Sequence, residues 1–110
     1  MGDYYKHDHL AAFGDIQAGS PELGRKFFDY YNAVFQEGAL TEREKSLIAL
    51  AVAHTVQCPY CIDSFTKGSL EKGADLEQMT EAVHVATAIR GGASLIHGMQ
   101  MLEQVRKKGM

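Results

Sequence analysis

Two cysteines, Cys58 and Cys61, stand three positions apart in the run Gln57-Cys58-Pro59-Tyr60-Cys61, and the chain has no others. A disulfide that closes so short a loop removes little chain entropy from the unfolded state, so a structural framework does not explain the pair. In a reducing compartment this spacing is typical of catalytic, redox or metal-binding cysteines. The pair is therefore the leading candidate for a functional site.

The proline between the cysteines indicates that they stand at the start of a helix. Pro59 suits the first helical turn, which places Cys58 at or beside the N-cap and Cys61 one turn in. A cysteine attacks as the thiolate, and N–H groups at a helix start lower the thiol pKa below its free value of about 8.5. One sulfur can attack a peroxide or disulfide while the other resolves the product into a disulfide. We predict a redox-active dithiol.

Two other interpretations of the pair stay open. The cysteines could be inert, buried structural side chains. They could also bind zinc, but histidines or carboxylates from other helices would then have to complete a set of four ligands. We favour the redox interpretation over both, and we expect no metal and no cofactor.

The preferred acid/base candidate is His54, which lies four residues before Cys58. It reaches the dithiol if the preceding helix turns back at that point. The alternative is a histidine packed in an interface, with its ring satisfied by a carbonyl oxygen. His84, three residues after Glu81, is the second candidate and ranks above His97.

Two further histidines, His7 and His9, flank Asp8 close to the N-terminus. Their spacing suits a ligand pair, but the segment is terminal and polar. We therefore expect both side chains to be solvated.

The elements that must position these side chains are predicted to be helices, because helix caps recur along the chain while the alternation typical of strands is absent. Residues 1–110 form one domain, in which residues 1–19 are an arm with a possible short helix from Asp8 to Phe13. Five longer helices are predicted: from Ser20 to Gly38, from Thr41 to about Gln57, from Cys58 to Lys72, from Asp75 to Arg90, and from Ala93 to Lys108. Between the last two, Gly91-Gly92 predicts either a break or a close backbone contact.

Charge and hydropathy exclude several partners. A net charge of −3 and the absence of any basic run except Lys107-Lys108 argue against nucleic acid. No apolar stretch approaches the roughly 20 residues that span a bilayer, and the N-terminus lacks a signal pattern. We expect a cytoplasmic protein without a membrane partner.

The run from Leu40 to Gly73, which leads through Leu47-Ile48-Ala49-Leu50 into the C-P-Y-C segment, resembles the carboxymuconolactone decarboxylase / alkyl hydroperoxidase D family. The resemblance implies an all-helical fold that assembles into a homo-oligomer, a trimer or hexamer. It also implies a dithiol that reduces hydroperoxides or relays electrons to a peroxidase, and that is recharged by a thiol reductant of the lipoyl or thioredoxin type. Cys61 would then attack the peroxide and Cys58 would resolve it.

The chain departs from that family's peroxidase pattern at two positions. Ser46 stands where the pattern has a glutamate, twelve residues before the first cysteine, and Phe65 stands where it has a histidine. The usual proton relay is therefore absent. Either His54 or His84 replaces it, or the dithiol serves electron transfer or another substrate.

A narrower resemblance, to peroxidase-like proteins associated with arsenosugar biosynthesis, rests on Cys58 to Asp63, Glu81 to Ala86 and Ile89 to Leu95. It implies a second candidate function, a dithiol module that binds a soft ligand such as trivalent arsenic without turnover. A third is a decarboxylase-type reaction, against which the dithiol argues. The fold alone cannot choose among them.

Overall fold

The computed structural model describes residues 7–109, and every regular element in that range is a helix. The all-α class predicted from the sequence is confirmed. The elements in chain order are α1 (His7–Ala11), a 3₁₀ helix (Phe13–Gly19), α2 (Pro21–Val34), α3 (Glu42–Thr55), α4 (Pro59–Glu71) and α5 (Leu76–Lys107). The terminal Tyr4-Tyr5 pair lies outside the described residues.

The helices on either side of α4 start at the predicted capping boxes. At the start of α3, the Thr41 hydroxyl accepts a hydrogen bond from the Glu44 N–H at 3.1 Å, and the Glu44 carboxylate accepts one from the Thr41 N–H at 2.8 Å. Asp75 and Gln78 form the same reciprocal pair at the start of α5. These bonds satisfy N–H groups that a helix start otherwise leaves without partners.

The core lies where α3 packs against both α4 and α5. Leu50, Ala74 and Met79 form its buried cluster, against which Leu47 and Phe65 pack. The chain leaves α4 through Gly73, whose φ of 90° falls in the left-handed region that glycine adopts without steric cost. This turn directs α5 back across α3.

Helix α2 begins at Pro21 as predicted, but it ends at Val34, before the predicted stop at Gly38. Lys45 of α3 donates hydrogen bonds to the carbonyl oxygens of Val34 and Gln36, which satisfies acceptors at the end of α2. The end of α2 is therefore stabilised by α3 and not by a glycine cap.

The prediction of two helices between Asp75 and Lys108 was wrong, because α5 runs without interruption through Gly91-Gly92. A glycine inside a helix costs about 1 kcal/mol relative to alanine, and the helix-forming residues on both sides outweigh that cost. No described atom lies within 4 Å of a Cβ built on either glycine, apart from near neighbours in the helix. Neither a break nor a backbone contact within the described chain accounts for the two glycines.

The chain is extended. Its radius of gyration is 18.9 Å, whereas a compact chain of this length has about 13 Å. It exposes 8531 Å² of surface, against about 6,000 Å² for a compact monomer of this mass. None of the helices in the described part is both long and apolar enough to cross a membrane.

Candidate functional site

The dithiol follows a sharp turn between α3 and α4. Gln57, directly before Cys58, has a φ of 57°, in the left-handed region that is uncommon for a residue with a side chain. The Cys58 N–H then donates to the carbonyl oxygen of Ala53 at 3.0 Å. The turn therefore brings the start of α4 directly against the end of α3.

Helix α5 also supports this turn. The Arg90 guanidinium donates a hydrogen bond of 2.6 Å to the carbonyl oxygen of Thr55, the last residue of α3. A cation near a helix C-terminus also complements the negative end of the helix dipole. The sequence alone did not assign this role to Arg90, because the contact spans 35 positions.

Cys58 is the N-cap of α4 and Pro59 is its first residue, as predicted. The N–H of Cys61 donates to the sulfur of Cys58 at 3.2 Å. The two cysteines form a disulfide, with their Cα atoms 5.2 Å apart. The sulfur that receives a backbone hydrogen bond is therefore that of Cys58, and in the dithiol form this bond would stabilise a thiolate there.

Both cysteines line a cavity of about 550 Å³, which we call the dithiol cavity. Its walls are largely aromatic, and a histidine and a serine complete them. The side chains that line it besides the two cysteines are His9, Phe13, Tyr31, Tyr60, Ser64 and Phe65.

Cys61 also lines a second cavity, of about 490 Å³, to which Cys58 does not contribute. Most of its lining is aliphatic and aromatic, including Val34, Ile48 and Val52. An apolar group of an organic molecule fits this lining better than a charged one. Cys61 thus lines both of these cavities, whereas of the two Cys58 lines only the dithiol cavity.

His54 lies away from the dithiol cavity, in a separate cleft. It is half-buried, its Nδ1–H donates to the carbonyl oxygen of Leu50 at 2.8 Å, and it lines a separate cleft with Gln57, Pro59 and Asp63. Neither cysteine lines that cleft. Within the described chain the structure does not bring His54 and the sulfurs into one cavity, and its ring is satisfied by a carbonyl, as the alternative interpretation anticipated.

His84 is exposed on α5, and so is His97 in the second half of the same helix. Neither belongs to the lining of the dithiol cavity. The structure therefore does not place the second histidine candidate at the sulfurs of its own chain.

His9 is the histidine that the structure places beside the dithiol. Its ring is exposed, yet its Nδ1 lies 3.1 Å from the Tyr60 hydroxyl, and both side chains line the dithiol cavity. His9 is exposed, as expected, but its hydrogen bond to Tyr60 in the dithiol cavity was not predicted. No local pattern could have revealed the contact, because it joins α1 to α4 across 51 positions.

The two positions that depart from the family pattern lie in the described interior. Ser46 is buried, and Phe65 stacks on Phe35 with ring centroids 5.1 Å apart. Both line a third cavity, and neither side chain has a group that changes its charge near neutral pH. Burial raises the pKa of Tyr31, so its hydroxyl stays protonated at neutral pH.

Among residues 7–109, no group of three or more histidine, cysteine or acidic side chains is placed to hold a metal ion. What the fold and site define is an all-helical protein with a C-x-x-C pair at a helix start. The sequence model of the carboxymuconolactone decarboxylase family matches residues 21–104. The chain belongs to this family, as the resemblance implied.

Relatives and solved structures agree with this assignment. "Uncharacterized protein 4 in cox locus" of Paracoccus denitrificans is 41% identical over 102 residues, which cover 93% of this chain and 92% of that protein. A crystal structure from Methanobacterium thermoautotrophicum superposes with a TM-score of 0.74 at 34% identity, covering 78% of this chain and 97% of that one. A carboxymuconolactone decarboxylase family protein from Legionella pneumophila superposes at 0.68 with 28% identity, covering 92% and 95%.

Proposed function

We propose that this protein is a thiol-dependent peroxidase that reduces organic hydroperoxides by cycling Cys58 and Cys61 between dithiol and disulfide. The observation that carries the proposal is that both sulfurs line one cavity while a backbone N–H donates to one of them. A thiolate stabilised at a helix start is the reactive form of cysteine. The disulfide between the two cysteines is the product that such a cycle predicts.

The roles of the two sulfurs follow from their surroundings. Cys61 attacks, since it lines both cavities that can hold the hydroperoxide. The Cys58 thiolate takes the proton of the Cys61 thiol, and the Cys61 sulfur displaces an alkoxide from the terminal peroxide oxygen to give a sulfenic acid. The Cys58 thiol then attacks that sulfur, which forms the disulfide and releases water.

An external dithiol of the lipoyl or thioredoxin type completes the cycle. Its thiolate attacks one sulfur of the disulfide, and Cys58 leaves as the thiolate that the Cys61 N–H stabilises. We place the cycle in the cytoplasm, where reducing thiols regenerate the pair.

The test compares the wild-type protein with Cys58→Ser and Cys61→Ser in an assay that follows loss of cumene hydroperoxide with dihydrolipoamide as reductant. We expect turnover to fall at least about 100-fold in both variants, because each cysteine is indispensable to disulfide formation. In single-turnover experiments Cys58→Ser should still form a sulfenic acid, trapped by dimedone, while Cys61→Ser should not.

Unchanged turnover in both variants would refute the proposal. So would stoichiometric uptake of arsenite by the reduced protein without any loss of hydroperoxide, because that result identifies a ligand-binding module. Circular dichroism on each variant checks that the helices are intact.

We also propose that the protein assembles into a homo-oligomer, a trimer or hexamer. The support is the excess of exposed surface over a compact monomer and the apolar side chains that α5 exposes after Gly92. Leu95 is 80% exposed and Met101 68%, and Ile96 lies between them at 65%. A helix this apolar is unstable in water without a partner surface.

A further inference from the structure

The dithiol cavity contains a pair of titratable side chains to which the proposed cycle has assigned no role. His9 comes from α1 and Tyr60 from the first turn of α4, one residue before Cys61. The His9 Nδ1 and the Tyr60 oxygen are 3.1 Å apart, and the two rings lie with centroids 6.3 Å apart at 31°. Both side chains line the same cavity as both sulfurs.

We propose that His9 and Tyr60 form the proton relay of this dithiol site, with Tyr60 as the acid that protonates the departing alkoxide and His9 as the residue that positions and recharges it. The inference rests on the proposed peroxidase function and deepens it. It adds to the two cysteines a residue from within the C-x-x-C run, Tyr60, and a residue from α1, His9.

The chemistry requires such an acid. When the sulfur of Cys61 takes the terminal OH of ROOH, the S–O bond forms, the O–O bond breaks, and RO⁻ departs with the electron pair. Sulfur is oxidised by two electrons and the peroxide is reduced by two. An alkoxide is a poor leaving group, so a proton delivered as the O–O bond breaks lowers the barrier.

The hydrogen bond between the two side chains suits this delivery. In the tautomer that carries its proton on Nδ1, His9 donates this N–H to the Tyr60 oxygen, and Tyr60 acts as the donor to the peroxide bound in the cavity. As Tyr60 transfers its proton to RO⁻, it receives the Nδ1 proton of His9 in the same step, and the exposed His9 ring takes a proton from solvent at Nε2. The alcohol ROH leaves, and the relay returns to its starting state.

The other titratable side chains near the sulfurs suit this role less well. The family's relay positions hold Ser46 and Phe65, which have no group that ionises near neutral pH. His54 lines a separate cleft and bonds the Leu50 carbonyl oxygen. Tyr31 shares the cavity, but burial raises the pKa of its phenol and so weakens it as an acid.

The experiment measures the rate at which the reduced protein loses its free thiols with two peroxides that differ in leaving group. tert-Butyl hydroperoxide releases an alkoxide that needs a proton, whereas peroxyacetic acid releases acetate, which does not. For Tyr60→Phe we expect a loss of about 100-fold with tert-butyl hydroperoxide, the lower end of the range for general acid catalysis. With peroxyacetic acid the rate should change less than about threefold.

His9→Asn gives the second arm, because its amide can replace the Nδ1 hydrogen bond but cannot carry a proton. A relay predicts the same selective loss as in Tyr60→Phe, and the double variant should lose no more than Tyr60→Phe alone. If His9 only positioned Tyr60, His9→Asn would retain wild-type rates and the relay would be refuted.

Tyr30→Phe is the matched control, since Tyr30 is 69% exposed on α2 and outside the dithiol cavity. Its rates should equal those of the wild type. Equal slowing with both peroxides, or no slowing with either, would overturn the relay while leaving the peroxidase proposal intact. A wild-type protein that reacts with both peroxides no faster than free dithiothreitol would overturn both proposals.

Discussion

Helix α5 has two halves in very different surroundings. The first half buries Met79 and Ala86, with α5 packed on α3, and supports the turn before the dithiol through Arg90. The second half, after Gly92, exposes Leu95, Ile96, Met99 and Met101. The first half of the helix therefore belongs to the core of this chain, and the second half extends beyond that core with an exposed apolar surface. Within residues 7–109 the first half of α5 has buried side chains and the second half has none, and the proposed assembly would cover the second half with another copy.

The largest effect on stability is expected from truncating a buried side chain in the core, where α3 packs against α4 and α5. Leu50 is 2% exposed, so Leu50→Ala should lower the free energy of unfolding by about 2–5 kcal/mol through lost burial and a residual cavity. Urea denaturation measures this change in the free energy of unfolding. The matched variant is Leu95→Ala in the distal half, where the side chain is 80% exposed. If a second copy covers this surface, Leu95→Ala should make the urea midpoint fall more steeply on dilution than in the wild type. A loss of stability that does not depend on protein concentration would show instead that the distal half packs within its own chain.

A smaller effect is expected at the glycine pair that separates the two halves. In an isolated helix, Gly91→Ala and Gly92→Ala would each stabilise by about 1 kcal/mol. If the second copy in the proposed assembly also packs against these glycines, the added methyl groups collide with it instead. We expect the double variant to dissociate at concentrations where the wild type stays assembled, measured by light scattering. A more stable variant with an unchanged molar mass, or a wild-type monomer, would contradict the proposal.

The smallest effect is expected at the capping box that starts α3, where Glu44 makes the stability depend on pH. Hydrogen bonds from the backbone and side chain of Thr41 lower the pKa of Glu44. A carboxyl whose folded pKa is lowered stabilises the protein above its unfolded pKa of about 4.3, and this contribution disappears as pH falls through the folded pKa. Glu44→Gln retains an acceptor but does not titrate. The melting temperature of the wild type should therefore fall relative to the variant as the pH drops below about 5, and a constant difference would contradict the prediction.

Local patterns were sufficient to predict most helix boundaries around the site. The capping boxes at Thr41 and Asp75, and the proline after Cys58, each act within one helical turn, so the residues that decide the structure are adjacent in sequence. Gly91-Gly92 was misjudged because helix propensity is a small term, which the neighbouring residues override. The end of α2 was misjudged for a related reason, since its last carbonyls are satisfied by Lys45 from another helix.

The histidines show the limit of such reasoning. Because His54 is close to Cys58 along the chain, we predicted that it exchanges protons with the cysteines. The chain turns at Gln57, however, and His54 lies in a separate cleft with its ring hydrogen-bonded to the Leu50 carbonyl oxygen. The contact between His9 and Tyr60 depends on how the N-terminal arm packs on α4. No residue spacing encodes a contact of that kind.

By itself the sequence determined the helical class, the family and the position of the two cysteines at the start of a helix, because capping groups, Pro59 and the C-x-x-C spacing act over a few residues. Only the tertiary structure decided which side chains surround the sulfurs. Cavity walls are built from segments far apart in the chain, and their meeting depends on the packing of whole helices against one another. The dithiol is thus a local feature of the sequence, and the chemistry available to it is a property of the fold.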